Sequence, residues 1–147
     1  MLNCPESDSF YRGIMNAQRN DPQPTTADAI SAAARSISET LQVAAIVSYT
    51  ESGSTAMRVA RERPNVPIIT LTPIPATARR LALAWGQHCV LTPNANDLED
   101  MIDTACNFAS CEGFAEIGQR IIITVGVPLG TAGATNMLRI AEVKKKA

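Results

Sequence analysis

The stretch Val43-Ala44-Ala45-Ile46-Val47-Ser48-Tyr49-Thr50-Glu51-Ser52-Gly53-Ser54-Thr55 decides the fold. Val43 to Val47 form a short, continuous apolar run, the pattern of a parallel strand covered on both faces. A polar turn, Thr50 to Thr55, follows. A helix then runs through Met57, Val59 and Ala60 and stops before Pro64, because a residue preceding proline is pushed out of the helical region.

The same unit recurs downstream. Pro67 to Leu71 reads as a second buried strand, and Thr72-Pro73-Ile74-Pro75 opens a helix, since proline is tolerated in a first turn. That helix continues through Arg79, Leu81, Ala82 and Leu83 to Gly86, a suitable residue just past a helix end. His88 to Leu91 is a third strand. Asn96 with Glu99 signals a cap for a helix striped by Leu98, Met101, Ile102, Ala105 and Phe108, with Gly113 near its end. Arg120 to Val125 is a fourth strand, and Met137 to Val143 a fifth after a Gly-rich loop. Upstream, Thr25 with Asp28 resembles a weak capping box, ahead of a stripe of Ile30, Ala33, Ala34, Ile37 and Leu41. Strands alternating with helices mean α/β with a mostly parallel sheet. The last strand follows only a loop, which suits an antiparallel return.

A chain of 147 residues fits one domain. Residues 1–24 are polar, hold three of the nine prolines, and read as an arm from a preceding domain with one short helix around Tyr11 to Gln18. Residues 25–147 are the α/β domain. With 46% hydrophobic and 18% charged residues and a net charge of −1, nothing points to nucleic acid or membrane. The three lysines all sit in the tail, Lys144 to Lys146, as a solvated end. No signal-peptide pattern follows Met1, so the expected location is the cytoplasm. The four cysteines, Cys4, Cys89, Cys106 and Cys111, form no C-x-x-C pair, and His88 is the single histidine. Small buried hydrophobes in a reducing compartment are expected rather than zinc ligands.

Two segments offer a site, because open parallel sheets bind ligands beyond the carboxyl ends of their strands. Thr50-Glu51-Ser52-Gly53-Ser54-Thr55 joins a strand to a helix N-terminus, where unpaired N–H groups and the helix dipole favour an anion. Gly53 permits close approach of the backbone, and three hydroxyls can donate. An ordinary capped turn would use the same residues, and the turn by itself favours that plainer account. Glu51 is unfavourable beside a phosphate unless it points away. Thr50, Thr72, Thr92 and Thr124 each stand at or just past a strand end, where their hydroxyls either line one rim or serve local turns. The second segment, Gly126 to Asn136, carries Gly126, Gly130 and Gly133 in a loop at the same sheet edge. It is neither a Walker loop nor a dinucleotide fingerprint. Asp97, Glu99, Asp100 and Asp103 cluster at a helix start, where acids suit the dipole. No catalytic constellation is apparent.

Three blocks in order resemble the C-terminal domain of pyruvate kinases. They are Ser52-Gly53-Ser54-Thr55-Ala56 through Arg58-Val59-Ala60-Arg61 to Arg63-Pro64; Pro67-Ile68-Ile69 with Thr72-Pro73, Thr77-Ala78-Arg79-Arg80-Leu81 and Trp85-Gly86; and Thr124-Val125-Gly126-Val127-Pro128 with Gly130, Gly133 and Thr135-Asn136. The resemblance covers roughly residues 25–143, and the arm's Tyr11-Arg12-Gly13-Ile14 with Ala17-Gln18-Arg19 is similar to the segment leading into this domain in bacterial enzymes.

The resemblance implies a three-layer α/β fold, four parallel strands and an antiparallel fifth with helices on both faces. It also implies an allosteric effector-binding and oligomerisation domain, with a sugar-phosphate or nucleotide effector on Thr50 to Thr55 and the Gly126–Asn136 loop closing over it. No cofactor is implied in this domain. Phosphoenolpyruvate, ADP, magnesium and potassium belong, by the same resemblance, to a preceding barrel, so the domain alone is expected to be non-catalytic. Val127-Pro128-Leu129 lacks the aromatic and Arg of animal enzymes, and Glu51 stands where some relatives carry a basic residue. A monophosphate effector, a sugar monophosphate or AMP, or no effector at all, is then expected over a bisphosphate. The alternatives are a purely structural oligomerisation domain with a vestigial phosphate pocket, and a free-standing α/β ligand-binding protein.

Overall fold

The computed structural model describes residues 23–129 and 135–145. The helix expected around Tyr11 to Gln18 lies outside them. In chain order the elements are α1 (Thr26–Leu41), β1 (Ala45–Tyr49), α2 (Ser54–Arg61), β2 (Ile68–Thr72), α3 (Pro75–Leu81), β3 (Gln87–Leu91), α4 (Leu98–Cys111), β4 (Arg120–Val125) and β5 (Met137–Glu142). The five strands form one sheet in the order β3-β2-β1-β4-β5. β1 pairs in parallel with β2 and β4, and β2 with β3. β5 returns antiparallel to β4, with Arg120 opposite Glu142 and Val125 opposite Met137. The expected α/β architecture is the one observed.

The three consecutive isoleucines of β4 show why the sheet needs cover on both sides. Side chains alternate along a strand, so Ile121 and Ile123 fall on one face and Ile122 on the other. Ile121 and Ile123 join Val47, Ile69 and Leu71 under Met101, Ala105 and Ala109 of α4. Ile122 joins Ile46 and Ile68 beneath Ala34 of α1 and Val59 and Ala60 of α2.

Several boundaries differ from the sequence expectation. β1 runs to Tyr49 instead of stopping at Val47. Ser48 and Tyr49 stay buried because Ser48 Oγ meets Thr124 Oγ1 at 2.9 Å and the Tyr49 hydroxyl donates to the Met101 carbonyl at 2.9 Å. α3 ends at Leu81, not at Gly86, which leaves Leu83 92% exposed. The cap of α4 is Asp97, whose side chain accepts from Asp100 N at 2.8 Å. Asn96 instead donates to the Asp100 carboxylate, and Leu98, expected in the inner stripe, is exposed. On α1, Thr25 caps as expected, accepting from Asp28 N at 3.2 Å. The buried face, however, carries Ala27, Asp28, Ser31, Ala34, Arg35 and Ser38, while Ala33 is exposed. Cys89 and Cys106 are half-buried free thiols and Cys111 is exposed, contrary to the expectation of burial. Among the described residues no helix is long and apolar enough to cross a membrane, and no group of three His, Cys, Asp or Glu is placed to hold a metal.

Candidate functional site

The strand order fixes where a crevice can form. The chain steps outward from β1 to β2 and β3, then crosses back to β4 on the other side of β1. The turn after β1 and the loop after β4 therefore leave the same sheet edge in opposite directions, the switch point at which open α/β sheets take ligands. α2 begins there. Its Met57 N–H bonds the Gly53 carbonyl at 3.0 Å, so the N–H groups of the preceding turn have no intrahelical acceptor.

Within the turn, Thr50 Oγ1 accepts from Gly53 N at 2.8 Å. Ser52 Oγ accepts from Ser54 N at 3.3 Å and donates to Ser54 Oγ at 3.2 Å. Thr55 Oγ1 lies 2.5 Å from Thr135 Oγ1, and both residues are buried. This hydroxyl pair ties the first turn of α2 to the end of the β4–β5 loop. The loop's base is closed by Asn136, whose side chain accepts from Val127 N at 2.9 Å and donates to Val127 O at 2.7 Å. Thr50, Ser52, Gly53, Ser54, Thr55 and Gly126 thus gather at one edge, with Thr135 and Asn136 beside them. Gly130 and Gly133 lie outside the described residues.

Gly53 has φ +90°, a conformation that L side chains rarely adopt. A Cβ there would lie 3.1 Å from Arg80 Nη2 and 3.4 Å from side-chain atoms of Leu81 and Thr77. Its bare α-carbon faces α3 and lets that helix pack against the turn. Arg80 donates to the Ser52 carbonyl, and Thr77 Oγ1 donates to the Glu51 carbonyl at 2.7 Å. Arg80 thereby brings a guanidinium to the turn, a charge legible in the sequence only as one of two adjacent arginines.

The rim of threonines does not form. Thr50 serves Gly53, Thr72 Oγ1 accepts from Ile74 N at 3.3 Å, Thr92 Oγ1 donates to the Pro93 carbonyl at 3.4 Å, and Thr124 pairs with Ser48. Glu51 directs its carboxylate to Asn94 Nδ2 at 2.8 Å. Asn94 follows β3, two strands from β1 and on the opposite side from the β4–β5 loop, so the acid is turned away from the crevice. Arg58 pairs with Asp28 of α1.

A family described as "Pyruvate kinase, alpha/beta domain" matches residues 28–141. The chain is 52% identical over 141 residues to the pyruvate kinase of Methylorubrum extorquens, covering 96% of this chain and 30% of that protein. It is 39% identical over 137 residues to a pyruvate kinase of Agrobacterium vitis, covering 93% of this chain and 29% of that protein. Against the pyruvate kinase of Geobacillus stearothermophilus it is 38% identical over 130 residues, covering 88% of this chain and 22% of that protein. The chain spans at most about a third of the length of these relatives. By the family match and by these identities, the chain belongs to the pyruvate kinase family, as its C-terminal α/β domain.

Proposed function

We propose that this domain binds a phosphorylated small-molecule effector at the β1/β4 edge and regulates a pyruvate kinase. The transfer of phosphate from phosphoenolpyruvate to ADP, with magnesium and potassium, is the work of a separate barrel domain. The observation that carries the reading is the meeting of the 50–55 turn, the N-terminus of α2 and the base of the β4–β5 loop at one switch point, joined by Thr55 and Thr135. Turning Glu51 toward Asn94 removes the main electrostatic objection. One helix terminus and one nearby guanidinium suit a single phosphate, so a sugar monophosphate or AMP is the proposed class.

Thermal unfolding with glucose 6-phosphate, AMP, and the unphosphorylated glucose and adenosine tests this. A ligand that binds only the native state at a hundred times its Kd stabilises by about 2.7 kcal/mol. A rise in Tm with the phosphorylated member of each pair alone supports the reading. Equal response to both members, or none, refutes it. Self-association is a second role, favoured by β5 standing at the sheet edge with Ile140 38% exposed, since an edge strand offers unpaired backbone groups.

A further inference from the structure

The inner face of α2 is smooth: its buried residues are Thr55, Ala56, Val59 and Ala60. Side chains this small set the height of the helix above the sheet but resist sliding along its axis poorly. The N-cap, Gly53, contributes no side-chain bond. Polar ties must then fix the axial position. Two lie toward β3: Gln87 Nε2 donates to the Ala56 carbonyl at 2.9 Å, and Arg80 donates to the Ser52 carbonyl. On the other side Thr55 Oγ1 meets Thr135 Oγ1 of the β4–β5 loop, and Arg58 pairs with Asp28, the tie to α1. Asp28 is 5% exposed in the first turn of α1, three residues past the Thr25 cap. Among the described residues Arg58 Nε is buried without a hydrogen-bond partner, and Arg58 Nη1 donates to the Asp28 carboxylate. Asp28 is buried and the Arg58 side chain is 29% exposed; an ion pair largely withdrawn from water adds little net stability over an apolar pair of the same shape, and its best-attested use is to fix register.

We infer that Asp28 and Arg58 are positioning residues that set the N-terminus of α2 against the start of α1, so that anion occupancy of the 50–55 turn and the order of the first turn of α1 are linked. The inference rests on the ligand reading above. An anion bonded to the first N–H groups of α2 draws the helix along its axis, and Arg58 moves with it. Asp28 follows or loses its partner. Linkage makes the coupling reciprocal. Neither residue touches the anion.

Calorimetric titration with glucose 6-phosphate and AMP, with amide exchange of the 147-residue chain in the same solutions, tests the link. In the unmodified chain the bound compound should slow exchange over residues 25–35 as well as 52–58. Asp28→Asn/Arg58→Met removes both charges at nearly constant volume, so the fold should persist even where Arg58→Ala unfolds. Its affinity should fall about fivefold or more, and its protection should stay within 52–58. Arg58→Lys should retain part of both effects. Protection confined to 52–58 in the unmodified chain overturns the inference alone. So does a folded double variant with unchanged affinity and full protection over 25–35. An unmodified chain that binds neither compound overturns this inference and the ligand reading together.

Discussion

Replacing Gly53 by Ala and by Asp separates the backbone role of this glycine from the electrostatics of the turn. At φ +90° an alanine incurs about 1–2 kcal/mol from the left-handed conformation. Its Cβ would lie 3.1 Å from Arg80 Nη2, so the guanidinium must give by a few tenths of an ångström, which weakens its bond to the Ser52 carbonyl, a contribution of up to about 1 kcal/mol. Reduced freedom of the unfolded chain returns about 0.4–1 kcal/mol. The net expected loss is about 1–2 kcal/mol, or roughly 3–8 °C in Tm for a domain of this size. Aspartate tolerates the left-handed region better, and although its Cβ crowds Arg80 as alanine's does, its carboxylate gives the guanidinium a new partner, so Gly53→Asp should unfold less readily than Gly53→Ala. Anion affinity should rank the other way, because only Asp places a negative charge beside the α2 N-terminus. Urea denaturation with an unchanged slope gives the stabilities, and titration with glucose 6-phosphate gives the affinities. Gly53→Ala as stable as the unmodified chain, or Gly53→Asp binding as well as Gly53→Ala, would refute the reasoning.

Tyr49→Phe removes the hydroxyl donated to the Met101 carbonyl and should cost about 1 kcal/mol at neutral pH. Burial lifts the Tyr49 phenol above its ordinary value of 10.0. The folded state then holds this proton more tightly than the unfolded chain does, so its contribution is present below about pH 10 and is lost as the pH rises above that. Urea midpoints measured from pH 8 to 11 should fall less steeply for Tyr49→Phe, and identical alkaline slopes would contradict the assignment. The isolated chain should sediment as a dimer, and Ile140→Glu on the β5 edge should shift it toward monomer. Monomer alone at high concentration counts against that role.

Helix and strand order was legible because it rests on local patterning. The apolar runs around Ile46, Ile68 and Ile122 and the prolines at 64, 73 and 75 act within a few residues of themselves. The antiparallel return of β5 was also legible, from the length of its connection. Boundaries set by distant partners were not. Nothing near Ser48 or Tyr49 announces Thr124 or the Met101 carbonyl, and nothing near Leu83 announces that α3 has already ended.

The candidate site divides in the same way. By itself the sequence determined that a hydroxyl- and glycine-bearing turn joins a buried strand to a helix start, since turn chemistry and helix polarity are properties of consecutive residues. Only the tertiary structure decided where the charges around that turn go. Glu51 is held by Asn94 beyond β3, Arg58 by Asp28 on α1, and Arg80 arrives at Ser52 from α3. Each of these pairs spans 28 to 43 residues of chain. A charged side chain's partner is set by which elements the sheet order brings side by side, and local spacing carries no record of that order.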